Sequence, residues 1–140
     1  DKELLKAARE VTANAYAPYS NFFVGAVAEL NNGKTVSGTN QENASSPAGI
    51  CSERVLLSAA SVLYPNVPIK TLAISYVNKN NAGKNDQPVS PCGICRQSLL
   101  EYEERTQQKM RIILSAAKGQ VIILDSAAAL LPLSFGSSDL

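Results

Sequence analysis

All three cysteines of this 140-residue chain lie in two short segments, Cys51-Ser52-Glu53-Arg54 and Pro91-Cys92-Gly93-Ile94-Cys95, and the chain has no histidine. If the thiols act together, the fold must bring two distant segments to one point. Three thiolates can hold a zinc ion and leave its fourth tetrahedral position for water, the arrangement of a hydrolytic rather than a structural zinc site. Glu53 follows Cys51 closely enough to handle that water's protons. Other readings explain less. A disulfide framework needs an even cysteine count and a secreted context. A C-x-x-C redox pair would use Cys92 and Cys95 but leave Cys51 idle. A structural zinc site would need a fourth ligand from a carboxylate or a neighbouring subunit. Three unrelated buried cysteines would leave the Pro-Cys-x-x-Cys spacing without a purpose.

The chain length suits a single domain, residues 1–140, with a substantial core. No apolar run is long enough to span a bilayer, and residues 1–20 do not read as a signal peptide. Reduced cysteines without an export signal point to the cytoplasm. Charge is balanced, with 13 basic and 12 acidic residues, and neither half carries a basic cluster. A polynucleotide partner would call for one, so a small molecule is the expected substrate.

Apolar residues at Leu4, Leu5, Ala8 and Val11 form a helical stripe over residues 2–14. The run 22–30, the Asn32-Gly33 turn and residues 34–38 predict a hairpin. Residues 39–50 read as a loop and 52–63 as a helix ended by Pro65 and Pro68. A nearly continuous apolar run at 71–77 predicts a strand buried on both faces. Residues 78–88 form a polar loop, 93–105 a helix, 111–115 and 121–124 strands, and 126–131 a short helix. This alternation predicts an α/β fold with helices on both faces of a central sheet. The gap between the last two strands is too short for a crossover helix, so they should pair antiparallel.

Cys51 begins one helix, and Cys92 and Cys95 bracket the start of another. A helix N-terminus lowers a thiol's pKa, so two such ends should meet at the metal. Three thiolates on a zinc dication leave net negative charge. A nearby cation would offset it, and Arg54 is the better candidate to donate to a thiolate, ahead of Arg96. Taken alone, Glu53 could simply favour the helix dipole; beside a zinc cysteine, a proton-transfer role fits better.

These segments resemble the cytidine deaminases of the small, homotetrameric, three-cysteine class over nearly the whole chain. The similarity runs through Tyr16-Ala17-Pro18-Tyr19-Ser20-Asn21-Phe22, Gly38-Thr39-Asn40-Gln41-Glu42-Asn43-Ala44, both cysteine segments, and Leu130-Leu131-Pro132-Leu133-Ser134-Phe135-Gly136. The resemblance implies a three-layer α/β/α sandwich with a mixed five-stranded sheet. It implies zinc on Cys51, Cys92 and Cys95, with Glu53 carrying protons from the bound water to the ring nitrogen and the leaving amine. Asn40 and Glu42 would bond the ribose hydroxyls, and Phe22 would pack on the nucleoside. Backbone at Ser52 would meet the pyrimidine edge, and Phe135 of a neighbouring subunit would cover the base. The implied reaction is deamination of cytidine and deoxycytidine in pyrimidine salvage, by a homotetramer with shared active sites and no membrane or nucleic-acid partner.

The sequence departs from the family pattern at three places. Ser46 stands where an aromatic is common, Ser52 where Ala is common, and Ser137 where Pro usually follows the final Phe-Gly. The first leaves open a same-fold deaminase of a modified cytosine nucleoside such as blasticidin S. A zinc-stabilised binding module without turnover is a further alternative, and it would have no use for Glu53.

Overall fold

The structure is a computed structural model and describes residues 1–140, with side chains for all but Lys84. Eight regular elements follow in order: α1 (Lys2–Val11), β1 (Phe22–Leu30), β2 (Thr35–Thr39), α2 (Ser52–Leu63), β3 (Ile69–Asn78), α3 (Gly93–Arg105), β4 (Arg111–Ser115) and β5 (Val121–Leu124). The strands form one sheet in the order β2-β1-β3-β4-β5. Only β3 and β4 are parallel, joined by the α3 crossover; β1 pairs antiparallel with β2 and β3, and β4 with β5. The expected antiparallel closing pair is therefore present in a mixed sheet.

Alternation along the strands divides the core between two faces. Val27, Ala73 and Ile113 pack with Leu4 and Ala8 of α1. Their neighbours Ala26, Ala28, Leu72, Ile74, Ile112 and Leu114 face the other way, against Leu56, Leu57 and Ala60 of α2 and Leu99 and Tyr102 of α3. This is the three-layer sandwich, and it explains the near-continuous burial of β3. Each fully buried leucine contributes on the order of 1.5–3 kcal/mol.

The ends of elements differ modestly from the sequence expectation. The first helix tightens to a 3₁₀ turn at Thr12–Asn14, and the final short helix is a 3₁₀ turn at Ala127–Leu130. The 39–50 segment carries a 3₁₀ turn at Ser46–Ala48 and bridges Gln41 to Tyr16 and Ile50. The polar loop after β3 coils at Lys79–Lys84. Each is a place where local backbone bonds decide the conformation without an apolar period to announce it.

Helix α2 approaches β2 closely at Gly38, where a Cβ would lie 2.4 Å from Ser52 O and 2.5 Å from Leu56 N. The missing side chain thus seats the first turn of α2, which carries the residues of the cysteine segment. Gly38→Ala should lower unfolding free energy by about 2–3 kcal/mol in urea titrations and weaken zinc retention. Ser37→Ala, at an exposed position of the same strand, should change neither.

Candidate active site

The carboxyl ends of β2, β3 and β4, the start of β1 and the N-termini of α2 and α3 gather at one end of the sheet, where open α/β folds place ligands. Cys51 is the N-cap of α2 and Cys92 the N-cap of α3. Neither cap residue bonds its helix through its side chain. The first amides bonded back to these caps are Val55 N, to Cys51 O, and Arg96 N, to Cys92 O. Both helices therefore direct free N–H groups and positive dipole toward the thiols.

The three sulfurs lie within 4.8 Å of one another. Cys51 Sγ is 3.8 Å from Cys92 Sγ, and Cys92 Sγ is 3.5 Å from Cys95 Sγ. A tetrahedral zinc with bonds of about 2.3 Å spaces its sulfurs by about 3.8 Å, so the cluster fits that ion. Cys51 and Cys95 are perturbed in opposite directions. The hydrogen bond from Cys95 draws Cys51 down to about 6, assisted by Cys92 and the charge of Arg54 and opposed by burial and Glu53. The Cys95 thiol is pushed up by that same bond and by its burial.

Glu53 is 5% exposed and lines a cavity of about 350 Å³ together with Cys51 and Cys92. Ser52 Oγ donates to Glu53 Oε2 at 2.9 Å. Phe22 and Asn40 share the same cavity. Asn40 Nδ2 donates to Phe22 O at 2.8 Å, and its Oδ1 accepts from Val24 N at 2.7 Å. One amide hydrogen and one lone pair of Asn40 remain for a ligand.

Other expected residues lie further out. Glu42 occupies an adjoining depression that shares Ser20 with the main cavity and includes Ser46. It accepts from Tyr19 N and from both N and Oγ of Ser20, and the Ser20 hydroxyl chiefly holds its carboxyl below the ordinary value. Phe135 is 60% exposed and does not line the cavity of its own chain. Among the described residues neither arginine bonds a sulfur. Arg54 acts on Cys51 through its charge, whereas Arg96 donates to Pro91 O and Leu130 O, bracing the start of α3.

Sequence reasoning missed Ile74, Tyr76, Val89 and Ser115 in the cavity wall. Tyr76 stacks on Phe22, with ring centroids 4.8 Å apart and planes within 10°. Its hydroxyl donates to Gln87 O at 2.8 Å. The signal available was position: Ile74, Tyr76 and Ser115 stand toward the carboxyl ends of β3 and β4.

Fold and thiol cluster together define a zinc-binding α/β protein with a buried carboxylate beside the metal position. The family profile for the cytidine and deoxycytidylate deaminase zinc-binding region matches residues 1–110. A cytidine deaminase of Halalkalibacterium halodurans is 32% identical over 137 residues, 98% of this chain and 95% of the relative. One from Mycoplasma genitalium is 34% identical over 102 residues, 73% of this chain and 72% of the relative. The crystal structure of cytidine deaminase from Burkholderia pseudomallei superposes with a TM-score of 0.82 at 34% identity, covering 96% of this chain and 98% of that one. The chain belongs to the cytidine and deoxycytidylate deaminase family.

Cys92→Ala should reduce zinc from about one ion per chain to a trace, read by metal analysis after gel filtration. Full zinc content in that variant would exclude Cys92 as a ligand.

Proposed function

We propose that this chain, acting as a single domain, catalyses hydrolytic deamination of cytidine and deoxycytidine to uridine and deoxyuridine plus ammonia. The observation that carries this reading is a buried carboxylate, Glu53, opening into the cavity beside three sulfurs spaced for zinc. Cys51, Cys92 and Cys95 would hold the ion, which would supply Lewis-acid activation of water. Glu53 takes one proton from the attacking water and places it on the ring nitrogen as the oxygen bonds the amino-bearing carbon; it then passes the second proton, from the new hydroxyl, to the amine as the carbon–nitrogen bond breaks and ammonia leaves. Moving both protons through one side chain avoids releasing either to solvent.

The free amides at the start of α2, including that of Ser52, suit the pyrimidine edge. Phe22, fixed from behind by Tyr76, offers its free face to the nucleoside. Asn40 uses its remaining amide hydrogen on a ribose hydroxyl, and Glu42, reached across Ser20, accepts from another. Arg54 offsets the negative charge of the thiolates. Phe135 covers the base of a neighbouring subunit, so the active unit is an oligomer with shared sites, a homotetramer as the resemblance to the three-cysteine class implies. The charge balance suits a small nucleoside, and among the described residues no helix is long and apolar enough to cross a membrane. A cytoplasmic place in pyrimidine salvage completes the reading.

Purified zinc-loaded protein should lower the ultraviolet absorbance of cytidine and deoxycytidine, with blasticidin S tested in parallel. Glu53→Gln should keep its zinc and lose turnover by about 10²–10⁴-fold or more. A fully active Glu53→Gln protein would overturn the mechanism, and untouched cytidine with zinc in place would overturn the substrate. Phe135→Ala should raise KM for cytidine in a protein that elutes as four chains; elution of the active wild-type protein as one chain would remove the shared site.

A further inference from the structure

Among the described residues two glutamates are buried, Glu53 and Glu103, and they are held differently. Glu103, 8% exposed, has both oxygens occupied: Met110 N and Ala127 N each donate to Oε2 at 2.7 Å, and Ser126 Oγ donates to Oε1. Such a carboxylate is a brace, tying the end of α3 to the start of β4 and to the turn after β5. Glu53, 5% exposed, has one oxygen occupied. Ser52 Oγ donates to Oε2, and Oε1 has no hydrogen-bond partner among the described residues. Nor is Oε1 sealed in the interior, because among the described residues the only enclosed side-chain oxygen or nitrogen without a partner is Ser75 Oγ. Glu53 lines the cavity, and of its two oxygens Oε1 is the one left without a hydrogen bond among the described residues.

Ser52 is itself fully buried, and its position is tightly set. It is the first residue of α2, pressed against Gly38, where even a Cβ would meet Ser52 O at 2.4 Å. Its hydroxyl makes a single hydrogen bond, the one to Glu53. An alanine here would leave both carboxylate oxygens free to rotate about the last side-chain bond of Glu53, with no other donor on either. Among the described residues no ion pair restrains Glu53.

Building on the deaminase reading of Glu53, we propose that the Ser52 hydroxyl is a positioning residue for proton transfer, pinning Oε2 so that Oε1 alone faces the reacting atoms. The same residue then serves twice, its amide toward the pyrimidine and its hydroxyl toward the proton carrier. A hydrogen bond to a charged group is worth more than a neutral one, and its geometry matters most when a proton must be taken from one atom and placed on another. The bond bears on the chemical step and leaves the nucleoside's own contacts intact, so it should appear in kcat.

The test is steady-state kinetics of Ser52→Ala on cytidine, with zinc content and urea stability measured on the same preparation. The expected result is a fall in kcat of about tenfold, KM within twofold of the parent, and zinc unchanged. In a Glu53→Asp background, where the carboxylate is one methylene shorter and out of register with Ser52, the same substitution should cost less than twofold. Unchanged kcat in Ser52→Ala, or an equal loss in both backgrounds, would overturn the proposal and leave the deaminase reading standing. Full activity in Glu53→Gln would instead bring down that reading, and this inference with it.

Discussion

Three sulfurs held within 4.8 Å are the constraint on which this molecule depends. Thiolates so close repel one another, and a protein can assemble them only if rigid elements impose the geometry and positive charge balances it. Here two helix N-termini impose the geometry, each contributing a cap cysteine, and α2 and α3 are in turn fixed by one apolar core. A dication bound by these sulfurs would bond both helices at once. Metal affinity and fold stability are then linked quantities, and a fault at Gly38, distant from any sulfur in the sequence, becomes a fault in the metal site.

Much of this was legible in the chain. Helices at 52–63 and 93–105 are delimited by the cysteine segments before them and by proline or polar residues after them, and the structure places them at Ser52–Leu63 and Gly93–Arg105. The strand at 71–77 extends to Ile69–Asn78 because pairing with β1, which periodicity does not encode, continues beyond the apolar run. Strand order was out of reach of local pattern for the same reason. The metal ligands and Glu53 stood out through spacing. Tyr76 did not: within the apolar run 71–77 of this strand the side chains are apolar or small, and nothing local marks which of them ends at a cavity. Phe135 could be flagged, but in this chain it stands exposed and outside the cavity, its carbonyl held by Gln97.

The polar side of the cavity shows a related economy. Asn40 holds the start of β1 by accepting from Val24 N and donating to Phe22 O, so the amide that lines the cavity also fixes the aromatic beside it. Ser20 stands between the two depressions and orders Glu42. The edge of the site is thus built from short polar contacts among residues 20–42, while its floor is built from helix ends.

The stacked Tyr76 joins these two halves. Its ring backs Phe22, and its hydroxyl holds the carbonyl of Gln87, on the segment that leads through Val89 and Ser90 to Cys92. A single side chain therefore sets the width of the nucleoside cavity and anchors the approach to a metal ligand. Changes that enlarge the cavity at this point also slacken the tether of the second cysteine segment. A change at Tyr76 would therefore act on the cavity wall and on the second cysteine segment at once.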